Sequence, residues 1–312
     1  ELNNNNNNNE YSRLNEIVKK EFENLFKTSF FVNQVQKMKS FNSPRISYTF
    51  LNESHRFSGK ILKIVNYIYK NDESLKSINC VNTNKYNLNI NNKNLNSELV
   101  MLDILNDKEY FLKYHQDILN DWSKSFDQSG KCIPLKNSEI NILEQSTYNQ
   151  YSALIIVDVI KKILEQNKEK FNNKETKIGV ITLTKAQKNI VKFYLHELLE
   201  NKNDLKNVKV DTIDNFQGRE EEIVIVDFIR GEYKINNFKL EHHKRNLNFL
   251  KEIERINVAI SRAKSKLILI GYFNAYLNKI DLQNEYGKLF KKYYDEVFES
   301  DDSYILLDKG IC

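Results

Sequence analysis

The chain has 312 residues, of which 40% are hydrophobic, enough for one large domain or two smaller ones with buried cores. Lysine and arginine exceed aspartate and glutamate by 47 to 42, and the resulting net charge of +5 permits nucleic-acid binding without demonstrating it. The three cysteines form no CxxC pair, which argues against a disulfide framework and for a reducing compartment. No apolar run approaches the ~18 residues of a membrane span.

The first predicted elements lead into a folded domain. Residues 3–9 are all asparagine, which predicts a disordered insert or linker, and the missing initiator methionine suggests a piece of a longer chain. Residues 11–38 carry apolar side chains at three- to four-residue spacing, which is typical of a helix. Residues 46–70 predict a strand, a short turn that carries His55 and Arg56, and an amphipathic helix.

The rest of the chain alternates between helices and strands. Residues 72–145 are polar, rich in asparagine and irregular, and we interpret them as an insertion. The pattern then predicts helices at 149–166, 185–200, 214–221 and 250–263, of which the third is short. It predicts strands from 177 and at 208–213, 222–229 and 266–271, and a charged loop at 232–248. This alternation predicts an α/β fold in which helices cover both faces of a mostly parallel sheet.

Two arginines are candidate phosphate ligands. Arg262 lies near the end of a predicted helix, just before a strand, and a guanidinium there could act as an arginine finger on a transferred γ-phosphoryl group. The commoner alternative is an exposed arginine that balances the negative end of the helix. Both interpretations also apply to Arg56. The two arginines lie near strand ends, and could converge at the sheet edge where open α/β sheets bind ligands.

The segment Gln-Gly-Arg-Glu follows a predicted strand directly. Gly218 lets the backbone turn sharply or approach a ligand, and Gln217 can both donate and accept hydrogen bonds. Glu220 could accept a hydrogen bond from a ribose hydroxyl or a metal-bound water. Its alternative role is that of a favourable carboxylate in the first turn of a helix.

Three threonines at or near strand ends are candidate contacts for nucleic acid. The hydroxyls of Thr182, Thr184 and Thr212 suit the phosphate oxygens of a nucleic-acid backbone, although threonine is also common in strands for conformational reasons. The sequence contains no G-x-x-x-x-G-K-[ST] phosphate loop and no Asp-Glu pair after an apolar strand that would bind magnesium. The histidines have no metal-ligand spacing with cysteine, so no metal site is predicted.

Several segments, taken in order, resemble the C-terminal motor lobe of superfamily-one helicases. The similar branch is that of the nonsense-mediated-decay, senataxin and replication helicase-nuclease proteins. The segments are LNESHRF at 51–57, STYNQYSA around Asn149, GVITLTKAQ at 179–187, VDTIDNFQGREEEIVIV at 210–226 and ERINVAISRAKSKLILIG at 254–271.

The resemblance implies a domain organisation. The RecA-like C-terminal lobe would span residues 46–290, with the asparagine-rich insertion at about 72–145 inside it. Residues 1–45 would combine the asparagine run with the end of the first motor lobe, and residues 291–312 would form a tail.

The resemblance also assigns roles around a nucleotide. Arg56 and Arg262 match arginines that sense the γ-phosphate, while Gln217 and Glu220, with Gly218 between them, match a segment that couples ATP to the strand. His55 replaces a tyrosine that packs near the adenine in relatives.

A second set of residues would hold the strand. Thr182, Thr184 and Gln187 fall in the segment that touches the nucleic-acid backbone, and Thr212 falls in the next one. Leu183 and Thr184 replace a Pro-Tyr pair of the family, and the charged loop at 232–248 is longer than usual.

The implied function is that of the C-terminal lobe of an ATP-dependent helicase or translocase on single-stranded DNA or RNA. ATP and Mg²⁺ would be held mainly by a first motor lobe upstream, so this chain alone, which lacks the phosphate loop, is expected to be inactive. Its location would be intracellular, nuclear or cytoplasmic, without a membrane partner. Two alternatives are a non-catalytic nucleic-acid-binding or scaffold module derived from a helicase, and a helicase lobe fused to a nuclease.

Overall fold

The chain divides into two compact units, Glu1–Leu51 and Asn52–Cys312. The computed structural model describes residues of the second unit, namely 53–57, 59–68, 75–77, 86–104, 148–172, 177–229, 252–277, 285–298 and 300–307. The predictions for the asparagine run, the helix at 11–38 and the charged loop at 232–248 lie outside these residues.

The described elements alternate between strands and helices over most of their length. In chain order they are β1 (Glu53–Ser54), α1 (Gly59–Asn66), β2 (Lys76–Ser77), β3 (Asn89–Ile90), β4 (Lys93–Asn94), β5 (Leu99–Ile104), α2 (Gln150–Gln166), α3 (Lys168–Asn172), β6 (Ile178–Thr182), α4 (Lys185–Leu198), a 3₁₀ helix (Lys202–Asn207), β7 (Val208–Thr212), α5 (Ile213–Phe216), β8 (Glu221–Asp227), α6 (Ile253–Ile260), β9 (Ala263–Gly271), α7 (Phe273–Leu277), α8 (Glu285–Phe298) and β10 (Tyr304–Leu307).

The main sheet has six strands in the order β10-β5-β9-β8-β6-β7, and every neighbouring pair is parallel. All residues of β5 and β6 are buried. Because alternate residues of a strand point to opposite faces, this burial means that both faces of the sheet are covered there. The predicted α/β class with a parallel sheet is therefore confirmed.

Two parts of the sheet were not expected from the sequence. Strand β5 lies inside the segment that we interpreted as an irregular insertion, yet it pairs with β9 from Leu99 to Asp103. The segment predicted as a C-terminal tail contains the end of α8 and the whole of β10, which pairs with β5. Short apolar runs of four to six residues carry little periodic signal, so only their long-range pairing shows that they are strands.

A buried lysine ties the hairpin β3–β4 to the sheet. Lys266 on β9 is 2% exposed, and its Nζ donates to the carbonyls of Tyr86, Leu95 and Ser97 at 3.2, 2.7 and 2.9 Å. Burial lowers the pKa of Lys266 to about 7, and the charge of Asp302 opposes this shift. Three acceptors require three N–H donors, which only the charged ammonium supplies, so this geometry favours the charged form.

A search of the described helices finds none with the length and apolar character needed to cross a membrane.

Candidate functional site

The predicted site residues lie at two opposite edges of the sheet. Because the strands are parallel, their N-terminal ends meet at one edge, the amino edge, and their C-terminal ends meet at the other, the carboxyl edge. Glu220 directly precedes β8 and Arg262 directly precedes β9, so both lie at the amino edge. Thr182 ends β6 and Thr212 ends β7, so both lie at the carboxyl edge. The two arginines therefore do not lie at the carboxyl edge, where open α/β sheets usually bind ligands.

A cavity of about 600 Å³ opens at the amino edge. Three stretches of chain that are far apart in sequence supply most of its lining: β1 with the turn after it, the start of β8, and the junction of α6 and β9. Its lining residues are Glu53, Ser54, His55, Arg56, Phe57, Val65, Leu75, Glu220, Glu222, Asn257, Val258, Ser261, Arg262, Lys264 and Ser265.

Arg56 projects from the turn after β1 towards the junction of α6 and β9. Its Nε donates to Oε2 of Glu220 at 2.6 Å, and its Nη1 donates to the carbonyl of Ser261 at 2.7 Å. The Arg56 side chain is 32% exposed. It is therefore partly fixed by the protein and partly open to the cavity.

Arg262 is held by the last turn of α6. Its Nε donates to the carbonyl of Val258 at 2.8 Å, its Nη1 to the carbonyl of Arg219 at 3.3 Å, and its Nη2 to Oγ of Ser261 at 3.0 Å. The bond to Val258 is the helix-end interaction that the sequence offered as the commoner interpretation. Arg262 also lines the cavity, so its conformation is compatible with both interpretations.

The two arginines meet at Ser261. Arg56 binds the backbone oxygen of Ser261 and Arg262 binds its hydroxyl, so residues that are more than two hundred positions apart share one neighbour. The structure thus brings together the two guanidinium groups that the sequence singled out.

Glu220 is the anionic centre of the cavity. Its Oε1 lies 2.8 Å from Nζ of Lys264, and its Oε2 lies 2.6 Å from Nε of Arg56. The hydrogen bond from Lys264 lowers the pKa of Glu220, burial opposes this, and the bond from Arg56 lowers the pKa further. Glu220 therefore stays ionised at neutral pH and keeps two cations turned towards the cavity.

The neighbouring predicted residues take different positions. His55 is exposed and lines the cavity. Gln217 is exposed at the C-terminal end of α5, and Gly218 adopts a left-handed backbone with φ of 79°. Neither Gln217 nor Gly218 is among the described residues that line the cavity. They form the turn that leads to Glu220, which does line the cavity.

Two of the predicted strand contacts, one half-buried and one buried, lie at the carboxyl edge. Thr184 is half-buried and caps α4, because its Oγ1 accepts a hydrogen bond from the backbone N–H of Gln187 at 3.1 Å. Thr212 is 8% exposed and begins α5 without a capping hydrogen bond from its side chain.

The side chains of the other two predicted strand contacts are buried and form hydrogen bonds within the fold. Thr182 is 0% exposed, and its hydroxyl lies 3.2 Å from the carbonyl of Thr184. Gln187 is 1% exposed, and its Nε2 donates to Ser152 and Asp227 at 2.8 Å each. Both side chains would have to leave these bonds to touch a ligand, so in this structure they support the carboxyl edge without facing outwards.

Several residues of the cavity were not singled out from the sequence. Lys264 and Ser261 flank Arg262, and Glu222 accepts a hydrogen bond from Ser265 at 2.7 Å. Lys264 shares the segment Ser-Arg-Ala-Lys with Arg262, and this proximity was the available signal. Serine and glutamate are too common at surfaces for sequence alone to mark Ser261 and Glu222.

Known proteins provide an independent comparison. The model of a family described as an AAA domain matches residues 26–274, more than half of the chain. The uncharacterized ATP-dependent helicase MJ0104 of Methanocaldococcus jannaschii is 29% identical over 292 residues, which cover 92% of this chain and 35% of that protein.

Two eukaryotic relatives match shorter stretches. The DNA replication ATP-dependent helicase/nuclease DNA2 of Saccharomyces cerevisiae is 39% identical over 94 residues, 30% of this chain and 5% of that protein. The probable helicase senataxin of Mus musculus is 32% identical over 128 residues, 41% of this chain and 4% of that protein. The chain thus spans about a third or less of the length of these relatives.

These matches confirm the resemblance to helicases that the sequence motifs indicated. The family match extends over β1 to β9 and includes both arginines of the cavity. The chain belongs to this AAA domain family. Its relatives are named as helicases, and MJ0104 and DNA2 are named as ATP-dependent helicases.

Proposed function

We propose that residues 52–312 form the second motor lobe of an ATP-dependent helicase or translocase that acts on single-stranded nucleic acid. The observation that carries the proposal is the meeting of Arg56 and Arg262 at Ser261, on the rim of one cavity. The names of the relatives support the link to ATP.

The residues of the cavity fit the polyphosphate of a nucleotide. Guanidinium groups can bridge phosphate oxygens, and Lys264 adds a compact third cation. Glu220 now binds two of these cations as an internal anion. A nucleotide would supply the phosphoanhydride bond whose hydrolysis drives movement, and its phosphates would compete with Glu220 for Arg56 and Lys264.

The described residues do not offer a clear set of ligands for magnesium. Among the described residues there is no group of three or more His, Cys, Asp or Glu that could hold a metal ion. We therefore assign the binding of Mg²⁺, and most of the binding of ATP, to a first motor lobe upstream. The proposed contribution of residues 52–312 is the positive charge of Arg56, Arg262 and Lys264 at the cavity.

Arg262 is suited to act on phosphate without much reorganisation. The carbonyls of Val258 and Arg219 hold its guanidinium in one orientation. Pre-oriented charge stabilises a developing negative charge more effectively than a mobile side chain does. Arg262 is therefore the proposed arginine finger, and Arg56 senses the same phosphates.

The carboxyl edge is the proposed path of the nucleic-acid strand. Thr184 and Thr212 are the proposed contacts with its phosphates, and the buried Thr182 and Gln187 position the loops that carry them. Hydroxyl contacts to phosphate position a strand without reading its sequence, so DNA and RNA are both candidate tracks.

The finger role is tested by the variant Arg262→Gln in the full-length protein. We expect the strand-stimulated ATPase rate to fall by roughly 10³-fold, the typical cost of losing an arginine finger. The melting temperature and the affinity for a single strand should remain unchanged.

The control is Lys291→Gln, which removes one exposed cation from α8. It should leave the ATPase rate at the wild-type level. An Arg262→Gln rate within a few-fold of wild type would refute the finger role. Strand binding by the wild-type protein without any ATPase would instead support the non-catalytic module.

A further inference from the structure

A short segment connects the two edges of the sheet directly. Residues 213–220 lead from Thr212 at the carboxyl edge to Glu220 at the amino edge. The segment is fixed to the sheet, because Ile213 and Phe216 are 2% and 0% exposed. It therefore transmits displacement better than an exposed loop would.

The carboxylate of Asp211, on β7, contacts residues near both ends of this segment. Its Oδ1 accepts hydrogen bonds from the N–H of Thr212 and from Nδ2 of Asn215, each at 2.9 Å. Nζ of Lys188 lies 3.5 Å from Oδ1, and Nη1 of Arg219 lies 3.7 Å from Oδ2. One carboxylate thus contacts α4, the start of α5 and the turn that follows α5.

Burial and bonding act in opposite directions on this carboxylate. Burial raises the pKa of Asp211, but the bonds from Asn215, the Thr212 N–H and Lys188 outweigh it and lower the pKa below its usual value. Asp211 is therefore ionised at neutral pH and holds both cations.

Each cation that binds Asp211 borders one of the proposed sites. The N–H of Lys188 donates to the carbonyl of Thr184 at 3.1 Å, beside the proposed strand contacts. The carbonyl of Arg219 accepts from Nη1 of Arg262 at 3.3 Å, beside the cavity. A series of hydrogen bonds and ion pairs, linked through Lys188 and Arg219, therefore connects Thr184 through Asp211 to Arg262.

We propose that Asp211 is a positioning residue that links strand binding at the carboxyl edge to the setting of Arg262 at the amino edge. The proposal rests on the proposed function of the two edges. Asp211 touches neither ligand. It acts by holding Arg219, and with it the backbone that orients Arg262, in register with α4.

The test uses Asp211→Asn in the full-length protein, with poly(dT) and poly(U) oligonucleotides as probes. Asparagine keeps the shape of aspartate but cannot hold two cations. We expect the ratio of strand-stimulated to basal ATPase to fall by roughly 5- to 10-fold, the lower range of coupling between two sites. The melting temperature should fall slightly, because the folded state favours the ionised carboxylate.

A double-mutant cycle separates positioning from a structural role. Arg219→Gln should reduce stimulation to a similar extent, and the double variant should lose no more than either single variant, because both break the same link. The matched control is Glu296→Gln, which removes a half-buried carboxylate of α8 that pairs with Lys63 at 2.6 Å. It should leave stimulation intact.

The outcomes separate the role of Asp211 from the proposed motor function. Wild-type stimulation in Asp211→Asn, additive loss in the double variant, or equal loss in Glu296→Gln would each overturn the role of Asp211 while leaving the motor function standing. A wild-type protein whose ATPase responds to neither oligonucleotide would overturn the proposed function and the role of Asp211 together.

Discussion

At the scale of single residues, Gly179 shows how closely the connecting segment lies on the sheet. A Cβ atom at this position of β6 would lie 2.7 Å from Cζ of Phe216 and 3.1 Å from Cγ of Glu221. Phe216 belongs to the crossover between β7 and β8, and Glu221 is the first residue of β8. The missing side chain therefore lets the crossover and the start of β8 pack directly on the strand. Glycine is required here by space, since its backbone is that of an ordinary strand.

We predict that Gly179→Ala destabilises the full-length protein by about 1–3 kcal/mol, the typical cost of overpacking a core. Denaturant titration measures the loss. Gly218→Ala is the comparison, because nothing lies within 4 Å of its added Cβ and only its left-handed backbone is strained. Its cost should be about 1–2 kcal/mol, the cost of a left-handed backbone at a residue with a Cβ. A loss below about 1 kcal/mol in Gly179→Ala would show that Phe216 can move aside.

At the scale of elements, a buried polar network joins four parts of the fold at the carboxyl edge. Asn149 caps α2 by accepting from the N–H of Ser152 at 2.8 Å, and its own N–H donates to Oε1 of Gln187 at 2.7 Å. Asp227, at the end of β8, accepts from Ser152 and Gln187. Nδ2 of Asn149 lies 3.4 Å from the hydroxyl of Tyr272. The network fixes the starts of α2 and α4 relative to β8 and β9.

The titration of Asp227 gives this network a pH signature. Burial raises the pKa of Asp227 from 3.8 to about 6, against the opposing effect of its hydrogen bonds. Between these two values the folded state keeps a proton that the unfolded state has released. The contribution of this group to stability is therefore greatest below pH 4 and is lost as pH rises through about 6.

We predict that Asp227→Asn flattens the pH dependence of the free energy of unfolding. Between about pH 4 and pH 7 the wild type should lose about 3 kcal/mol more than the variant, since one pKa unit corresponds to about 1.4 kcal/mol. Denaturant titrations across this range provide the measurement. Asp103→Asn should have a similar effect, because burial also raises the pKa of Asp103 to about 6. Parallel curves for wild type and Asp227→Asn would contradict the prediction.

At the scale of the whole molecule, the two proposed ligand sites lie at opposite edges of the sheet. The cavity lies at the amino edge and the threonines lie at the carboxyl edge, with β8 running from Glu221 beside the one to Asp227 beside the other. A net charge of +5 is small for a nucleic-acid-binding protein, so local cations decide how strongly the strand is held. Lys185 is such a cation, exposed at the start of α4 beside Thr184.

We predict that binding of a single strand to the full-length protein weakens steeply with salt. Lys185→Gln should reduce the slope of log K against log salt by about 0.7, the value for one phosphate contact on a single strand. Lys291→Gln, on α8, should leave the slope unchanged. Fluorescence anisotropy over a salt series provides the measurement. A flat response in the wild type would exclude phosphate contacts, and an unchanged slope in Lys185→Gln would exclude this lysine from the path.

Elements with a strong local pattern were predictable from the sequence. The long helix from Asn149, the helix from Lys185 and the strands β6 to β9 have the expected positions within a few residues, because their periodicity, caps and β-branched runs act over short distances. Strands β5 and β10 were missed, because they are strands only through their pairing with distant parts of the chain.

For the site, the sequence singled out Arg56 and Arg262 as candidates, because both fall in ordered motifs and a guanidinium group suits phosphate. Only the tertiary structure decided that they meet at Ser261 on the amino edge, that Gln187 is turned inwards to Asp227, and that Asp211 pairs with Arg219. The physical reason is that the charge and hydrogen-bond donors of a side chain are set by its residue type. Its burial and its neighbours depend instead on how the strands are ordered in the sheet.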